Sequence, residues 1–319
     1  MAINFPKLSD ALRLERLTLL EGQLRVVIDT DTFNEVDDQF AVAHALLSPE
    51  RLNVEALYAA PYFNQRSSSP RDGMEKSYQE LHTLSSRLGK SSDGLVYAGS
   101  TDYLKDAITP QESDVAKDLV ERAMSSKEPL YVMAIGAITN VASAILLEPQ
   151  IIERIVIVWL GGHALHWSHT KEFNMMQDLH ASQLILNCGV PLVLIPCWGV
   201  ASHLILSVSE LEAFAKNSGE MGDYLVKTIA SARHEHAKHR AWSRIIWDIS
   251  ASAYLVNTDW VPTELRPSPI LTKDLTWSFD NTRHLIRYAT MAWRDATFSD
   301  LFGKLAAYAE TEAITRETK

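Results

Sequence analysis

Residues 25 to 47 hold the densest potential chemistry in this 319-residue chain. Val26, Val27 and Ile28 form a β-branched run that reads as a buried strand. Asp29, Asp31, Asp37 and Asp38 follow at its C-terminal end, with Glu35 among them. Gln39 to Leu47 then reads as a helix stopped by Ser48-Pro49. Capping and the helix dipole favour one or two acidic residues at such a junction. They do not explain two aspartates directly after three apolar strand residues. Clustered carboxylates repel unless positive charge lies between them. A hard divalent cation with oxygen ligands, Ca²⁺ or Mg²⁺, is the simplest source of that charge. Asp37 and Asp38 are adjacent in a first helical turn, so their side chains should diverge by about 100°. One would face a cation and the other a substrate.

Four later segments carry related chemistry. Val132 to Gly136 reads as a strand end, and Thr139-Asn140 opens a helix, which alone is ordinary connection chemistry. Leu160-Gly161-Gly162-His163 ends a very apolar strand, where glycines permit close backbone approach to a ligand. Lys171-Glu172-Phe173-Asn174 and Asp178 follow, and Glu-Phe-Asn offers an acceptor and an amide suited to sugar hydroxyls. Trp247-Asp248 closes a stretch from His234 that reads as a helix. His234, His236 and His239 on that stretch have no carboxylate pattern that favours zinc over plain exposure. Phe63-Asn64-Gln65 follows the second strand.

Strands at 26–28, 53–60, 95–98, 130–135, 151–160 and 191–195 alternate with helices at 39–47, 74–88, 115–125, 139–147 and 181–186. That alternation predicts an α/β fold with a mostly parallel central sheet covered by helices on both faces. Sites in such sheets lie beyond the C-terminal strand ends, where these segments fall. Residues 1–24 read as an N-terminal helical extension with an amphipathic helix over 7–21. The stretch 61–73 reads as a polar loop, 207–256 as mainly helical, and 284–308 as final helices. Neither a repeat nor a linker is visible, so a single domain over 1–319 is expected. The formal charge of −10 and the pI near 5.6 argue against nucleic acid or an anionic membrane as main partner. Cys188 and Cys197, in apolar surroundings, read as reduced thiols. Met1 to Asp10 lacks a signal-peptide pattern, and no apolar run approaches the roughly 20 residues of a membrane helix. The expected compartment is the cytoplasm.

Taken in order, these segments resemble the nucleoside hydrolases, the inosine-uridine-preferring N-ribohydrolases. The family signature is Asp-Thr-Asp, a short loop, then Asp-Asp. Here the loop, Thr32 to Val36, is two residues longer than the family's and lacks its glycine, which implies Asn34 or Glu35 in the site. Gly136-Ala137-Ile138-Thr139-Asn140 is similar to the family's Gly-Pro-Leu-Thr-Asn, which implies that the Ile135 carbonyl ligates Ca²⁺. The Gly-Gly and Glu-Phe-Asn segments match its ribose-binding ones, but a family asparagine at the ribose 5′-hydroxyl has no counterpart. His166 or His169 could replace it, or these and His163 are solvated loop histidines. Trp247 stands where the family often has the histidine that protonates the leaving base, as in the purine-specific subgroup, where tryptophans stack on the base. Phe63-Asn64-Gln65 resembles its Gly-Asn-Gln.

The resemblance therefore implies Ca²⁺-dependent hydrolysis of the nucleoside N-glycosidic bond, with some purine preference. Asp31, Asp38, Asp248 and the Ile135 carbonyl would hold Ca²⁺, and Asp31 would act as general base. Asp37, Asn64, His166, Glu172, Asn174 and Trp247 would contact the nucleoside, and Asp29 would brace the loop. Family members commonly assemble as dimers or tetramers, so a homo-oligomer is expected. One alternative is a nucleoside- or ribosyl-binding protein on the same fold whose altered loop has ended catalysis. A haloacid-dehalogenase-type phosphatase also opens on strand-Asp-x-Asp. However, Phe33 stands where that motif needs Thr or Val, and the later lysine and Gly-Asp motifs are missing.

Overall fold

Val26, Val27 and Ile28 sit at the centre of β1 (Leu24–Thr30) in a computed structural model that describes residues 3–232 and 242–317, with side chains to residue 314. From β1 the chain steps outward through β2 (Leu52–Ala59) and β3 (Val96–Ala98). It then returns to the other side of β1 with β4 (Leu130–Ile135), β5 (Ile155–Leu160) and β6 (Leu192–Ile195). Short β7 (Ile205–Ser207) and β8 (Ser243–Ile245) pair apart from the sheet. β9 (Thr263–Pro267) precedes the ribbon of β10 (Ile270–Leu271) and β11 (Trp277–Ser278), and β12 (Leu285–Ala289) completes the strands. The eight-stranded sheet has the order β3-β2-β1-β4-β5-β6-β12-β9, parallel except for β9.

Period-two alternation explains why the strands are apolar throughout. Val26, Ile28, Met133, Val158 and Val193 face one core, and Val27, Val132, Ile157 and Leu194 face the other. The first core is closed by α2 (Asp38–Leu46), α3 (Pro70–Arg87), α8 (Val208–Phe214), α9 (Gly219–Ser231), α10 (Ile249–Val256) and α11 (Arg294–Glu317). The second is closed by α4 (Asp114–Ser125), α5 (Thr139–Leu147) and α7 (Leu179–Asn187). The remaining helices are α1 (Asp10–Leu17) and the single-turn α6 (Phe173–Gln177). None of the described helices is long and apolar enough to cross a membrane.

Several element boundaries differ from the sequence expectation. The helix expected over 7–21 spans only Asp10–Leu17, because Thr18 is extended. Arg13 and Arg16 donate to the carbonyls of Gly189 and Glu153, which precede β6 and β5, so α1 docks at the end of the sheet opposite the site. α3 begins inside the expected 61–73 loop, because Ser69 caps Asp72 N–H and Pro70 takes a first-turn position. The expected final helices at 284–308 are instead β12 followed by α11. Ile286 and Tyr288 alternate into the core, which is strand periodicity. The helix expected from His234 to Trp247 also fails at its end, where Ser243–Ile245 pairs with β7. His234, His236 and His239 lie outside the described residues.

Candidate active site

The chain reverses its direction of sheet growth between β1 and β4, and ligands favour that switch point. Thr30 pairs with Ile135 at the ends of these strands, so the aspartates after β1 emerge beside the end of β4. Alternation then sorts them. Asp29 points to the α5 side, where Asn140 Nδ2 donates to its Oδ1 at 2.8 Å. Thr30 points to the α2 side and donates to Asp38 Oδ1 at 2.6 Å. Asn140 also donates to the Ala59 carbonyl and accepts from Ser100 N–H, so it ties β1 to the ends of β2 and β3. Gly136 packs tightly here. A Cβ would lie 3.1 Å from Asp31 N and 3.2 Å from its Cγ.

Asp37 and Asp248 occupy the N-cap positions of α2 and α10, and neither side chain caps its helix. Instead the two helix starts meet. Carboxylate oxygens of Asp37, Asp38 and Asp248 lie within 4.8 Å of one another, and Trp247 N–H donates to Asp37 Oδ2 at 3.0 Å. Asp37 stands at the N-cap, one position before the helix, and its carboxylate lies beside those of Asp38 and Asp248. Asp248 begins a helix and does not end one. Asp31, Asp37, Asp38 and Asp248 are all 5% exposed or less.

Burial first, and then mutual repulsion, pushes these carboxyls up. Asp31, Asp38 and Asp248 lie well above the ordinary carboxylate range. Asp37 is raised to about 6, with Glu35 adding to burial, and Asp29 to about 7 through burial alone. Two observations fit this donor set to a hard divalent cation. Oxygens at about 2.3–2.6 Å from a common Ca²⁺ have the mutual spacing seen for Asp37, Asp38 and Asp248. The buried Asp31 Oδ2 has no hydrogen-bond partner among the described residues.

A cavity of about 220 Å³ opens on the cluster. Its far wall is set by Glu172, which caps α6 and accepts from Asn174, Met175 and Gly162 N–H groups at 2.8–3.0 Å. Cys197 lines the same cavity. Asn174 Nδ2 donates to the Leu160 carbonyl at 3.1 Å. Gly162 has a φ of +72°, and a Cβ there would lie 2.7 Å from Thr170 Oγ1. Over the cavity stands a row of tryptophans. Trp198 and Trp247 meet edge to face at 5.2 Å, and Trp167 lies 5.9 Å from Trp198.

Of the residues singled out from sequence, Asp31, Asp37, Asp38, Ile135, Glu172, Asn174, Trp247 and Asp248 line this cavity together. Asn34 and Glu35 of the longer loop line it too. Asn64 does not; it sits behind Asn34 and donates to Asn34 Oδ1 at 2.5 Å. Arg66 holds the carbonyls of Asn34 and Glu35, and Arg244 pairs with Glu35 at 2.6 Å. His166 lines a neighbouring pocket with Arg266, Phe279 and Tyr288. Trp198 escaped the sequence reading, although it follows β6 at a strand end in Cys197-Trp198-Gly199, a place where ligands collect.

The family described as inosine-uridine preferring nucleoside hydrolase matches residues 26–293. A pyrimidine-specific ribonucleoside hydrolase, RihA, of Salmonella arizonae is 22% identical over 276 residues, 76% of this chain and 84% of that protein. RihA of Citrobacter koseri is 24% identical over 195 residues, 54% of this chain and 59% of the relative. Among solved structures, a purine-preferring ribonucleoside hydrolase from Gardnerella vaginalis superposes with a TM-score of 0.72 at 19% identity, covering 90% of this chain and 99% of the other. A plant nucleoside hydrolase gives 0.71 at 18% identity, over 89% and 99%.

Proposed function

Because the chain belongs to the inosine-uridine preferring nucleoside hydrolase family, a family of N-glycosyl hydrolases, we propose that it cleaves the N-glycosidic bond of ribonucleosides with Ca²⁺ at the aspartate cluster. The observation that carries this is the convergence of Asp31, Asp37, Asp38 and Asp248 in one cavity beneath a tryptophan row. Asp31, Asp38, Asp248 and the Ile135 carbonyl would hold the cation, and Asp37 lies close enough to share it or to take a ribose hydroxyl. Bound Ca²⁺ would supply the charge that lets these buried carboxylates ionise, and open sites for the ribose diol and the attacking water.

Asp31 Oδ2, with no other partner among the described residues, accepts the proton of the water that attacks C1′. As the bond to the base lengthens, the sugar takes on oxocarbenium character, and the ring of carboxylates stabilises that positive charge. Glu172, saturated by donors, fixes the α6 start and so places Asn174 against the sugar. Asn140 holds Asp29 in place behind the β1 end.

Trp198 and Trp247 take the base. A purine gains more from them than a pyrimidine, since stacking grows with the shared π-face. Trp247→Ala is therefore expected to lower kcat/KM for inosine by about 10-fold, the scale of one lost base–aromatic stack, and for uridine by less. A panel of inosine, guanosine, uridine and cytidine, assayed with and without chelator, tests the function and the preference together. Equal losses for purine and pyrimidine, or uridine leading inosine in the unmodified protein, would remove the purine assignment.

A further inference from the structure

The hydrolysis as read leaves two groups at the cavity unused, His163 and Lys171. Six carboxylates line this space, from Asp31, Glu35, Asp37, Asp38, Glu172 and Asp248, against a single lysine. Lys171 is exposed at the mouth, and among the described residues its ammonium makes no ion pair. Its neighbour Glu172 already accepts from three backbone N–H groups. Glu35 is paired with Arg244. His163 is 6% exposed, and its buried Nδ1 has no partner among the described residues.

The chain brings these two groups to the same edge on purpose-shaped backbone. After Gly162 turns at positive φ, His163 N–H donates to Thr170 Oγ1 at 2.8 Å, which closes the 163–170 loop and delivers Lys171 beside His163. The position in the cavity then follows from the shape of a nucleoside, and rests on the reading above. With the diol on the aspartates and the base under Trp198 and Trp247, C5′ points to the remaining wall, formed by Leu160, His163, Lys171, Glu172 and Asn174, where the Glu172 carboxylate is taken up by backbone N–H groups.

We propose that Lys171 and His163 form a subsite for an anionic group at the 5′ end of the sugar, and that the preferred substrate is a nucleoside 5′-monophosphate. An ammonium and an imidazole suit phosphate oxygens, and charge-assisted bonds of this kind are the strong ones. The reaction balances without a further reactant. Water's oxygen bonds to C1′ as the C1′–N bond breaks and its electron pair goes to the base. One water proton passes to Asp31, which returns it to solvent, and the departing base nitrogen takes up one proton from solvent. The products are the free base and ribose 5-phosphate.

The test compares inosine with inosine 5′-monophosphate on the Ca²⁺-loaded protein, by base release. Calorimetric binding of ribose and ribose 5-phosphate is measured beside it. The monophosphate should lead in kcat/KM by about 10-fold, and ribose 5-phosphate should bind about 10-fold more tightly than ribose. Lys171→Gln should bring both ratios toward one, and His163→Ala should reduce them. A nucleoside that outruns its monophosphate, or ratios unmoved by Lys171→Gln, overturns the subsite. Selective ribose 5-phosphate binding without cleavage of either substrate upholds the subsite and instead overturns the hydrolase reading.

Discussion

Asp31→Asn lowers turnover of the Ca²⁺-loaded protein by about 10³-fold or more, within the range of a lost general base, while raising the melting temperature of the metal-free protein. Both halves follow from one fact. The Asp31 carboxylate is 1% exposed, it is pushed up by burial and by Asp38 and Asp37, and its Oδ2 has no partner among the described residues. Without a cation, its negative charge costs stability, and an uncharged asparagine of the same shape relieves that cost. In the proposed mechanism the same carboxylate takes a proton from water beside C1′, which the amide could not do. Functional groups held at such a cost are where stability and activity trade against each other. Thermal melts in chelator and steady-state rates in Ca²⁺ check the two halves on the same pair of proteins. A variant that keeps turnover within about threefold, or that melts lower than wild type without metal, removes Asp31 from the role assigned to it.

Calcium should raise the melting temperature more at pH 8 than at pH 5. The sign comes from the raised carboxyl values. Asp37 at about 6 and Asp29 at about 7 hold protons in the folded chain that the unfolded chain has released above about pH 4. Asp31, Asp38 and Asp248 shift in the same direction. Folded protein then binds more protons than unfolded between these limits, so metal-free stability falls as pH rises through 4 to 7. Below that window the protonated cluster is content without a cation. Above it, the ionised cluster is strained by repulsion, and on the proposed reading a bound cation would relieve that strain. At a Ca²⁺ concentration of about 100 times the dissociation constant, the gain is about 2.7 kcal/mol, which for a chain of this size is roughly 5 °C. Differential scanning fluorimetry over pH 5 to 8, with Ca²⁺ and with chelator, measures it. A Ca²⁺ increment that is flat or larger at pH 5 contradicts the cluster's role as a cation site.

How much of this was legible in the sequence depends on the range of the forces involved. The parallel strands were readable because Val26-Val27-Ile28, Leu130–Ile135 and Ile155–Leu160 are apolar on both faces, which only a sheet covered by helices demands. The nearness of Asp31 to Ile135 followed from their places at neighbouring strand ends, and the family resemblance added Asp38. Elements whose identity is set by partners far along the chain were harder to read. β8 exists because Ser243–Ile245 pairs with β7, which has no local signature, whereas β12 shows strand periodicity at Ile286 and Tyr288 but owes its place to pairing with β6 and β9. The convergence of Asp37 with Asp248 was implied by the family resemblance alone, since it depends on α2 and α10 packing start to start across 210 residues. Trp198 shows the reverse lesson. It was missed as a single aromatic after a strand, although its neighbours Cys197 and Gly199 mark a strand-end turn.

The 32–36 loop departs most from the family signature, and the structure explains how it is accommodated. Asn34 is buried against Asn64, Val36 enters the core, and Arg66 and Arg244 clamp the backbone and side chain of Glu35. The two extra residues are absorbed at the rim, and Asp37 and Asp38 still reach the aspartate cluster.

The most direct test of the central claim is product analysis: Ca²⁺-loaded protein incubated with a panel of nucleosides and their 5′-monophosphates, with free base and free sugar quantified by chromatography. Equimolar base and ribose or ribose 5-phosphate, lost on chelation and in Asp31→Asn, is the expected result. Ca²⁺ binding with no base released from any member of the panel would contradict hydrolysis, and would leave a binding protein built on a hydrolase fold.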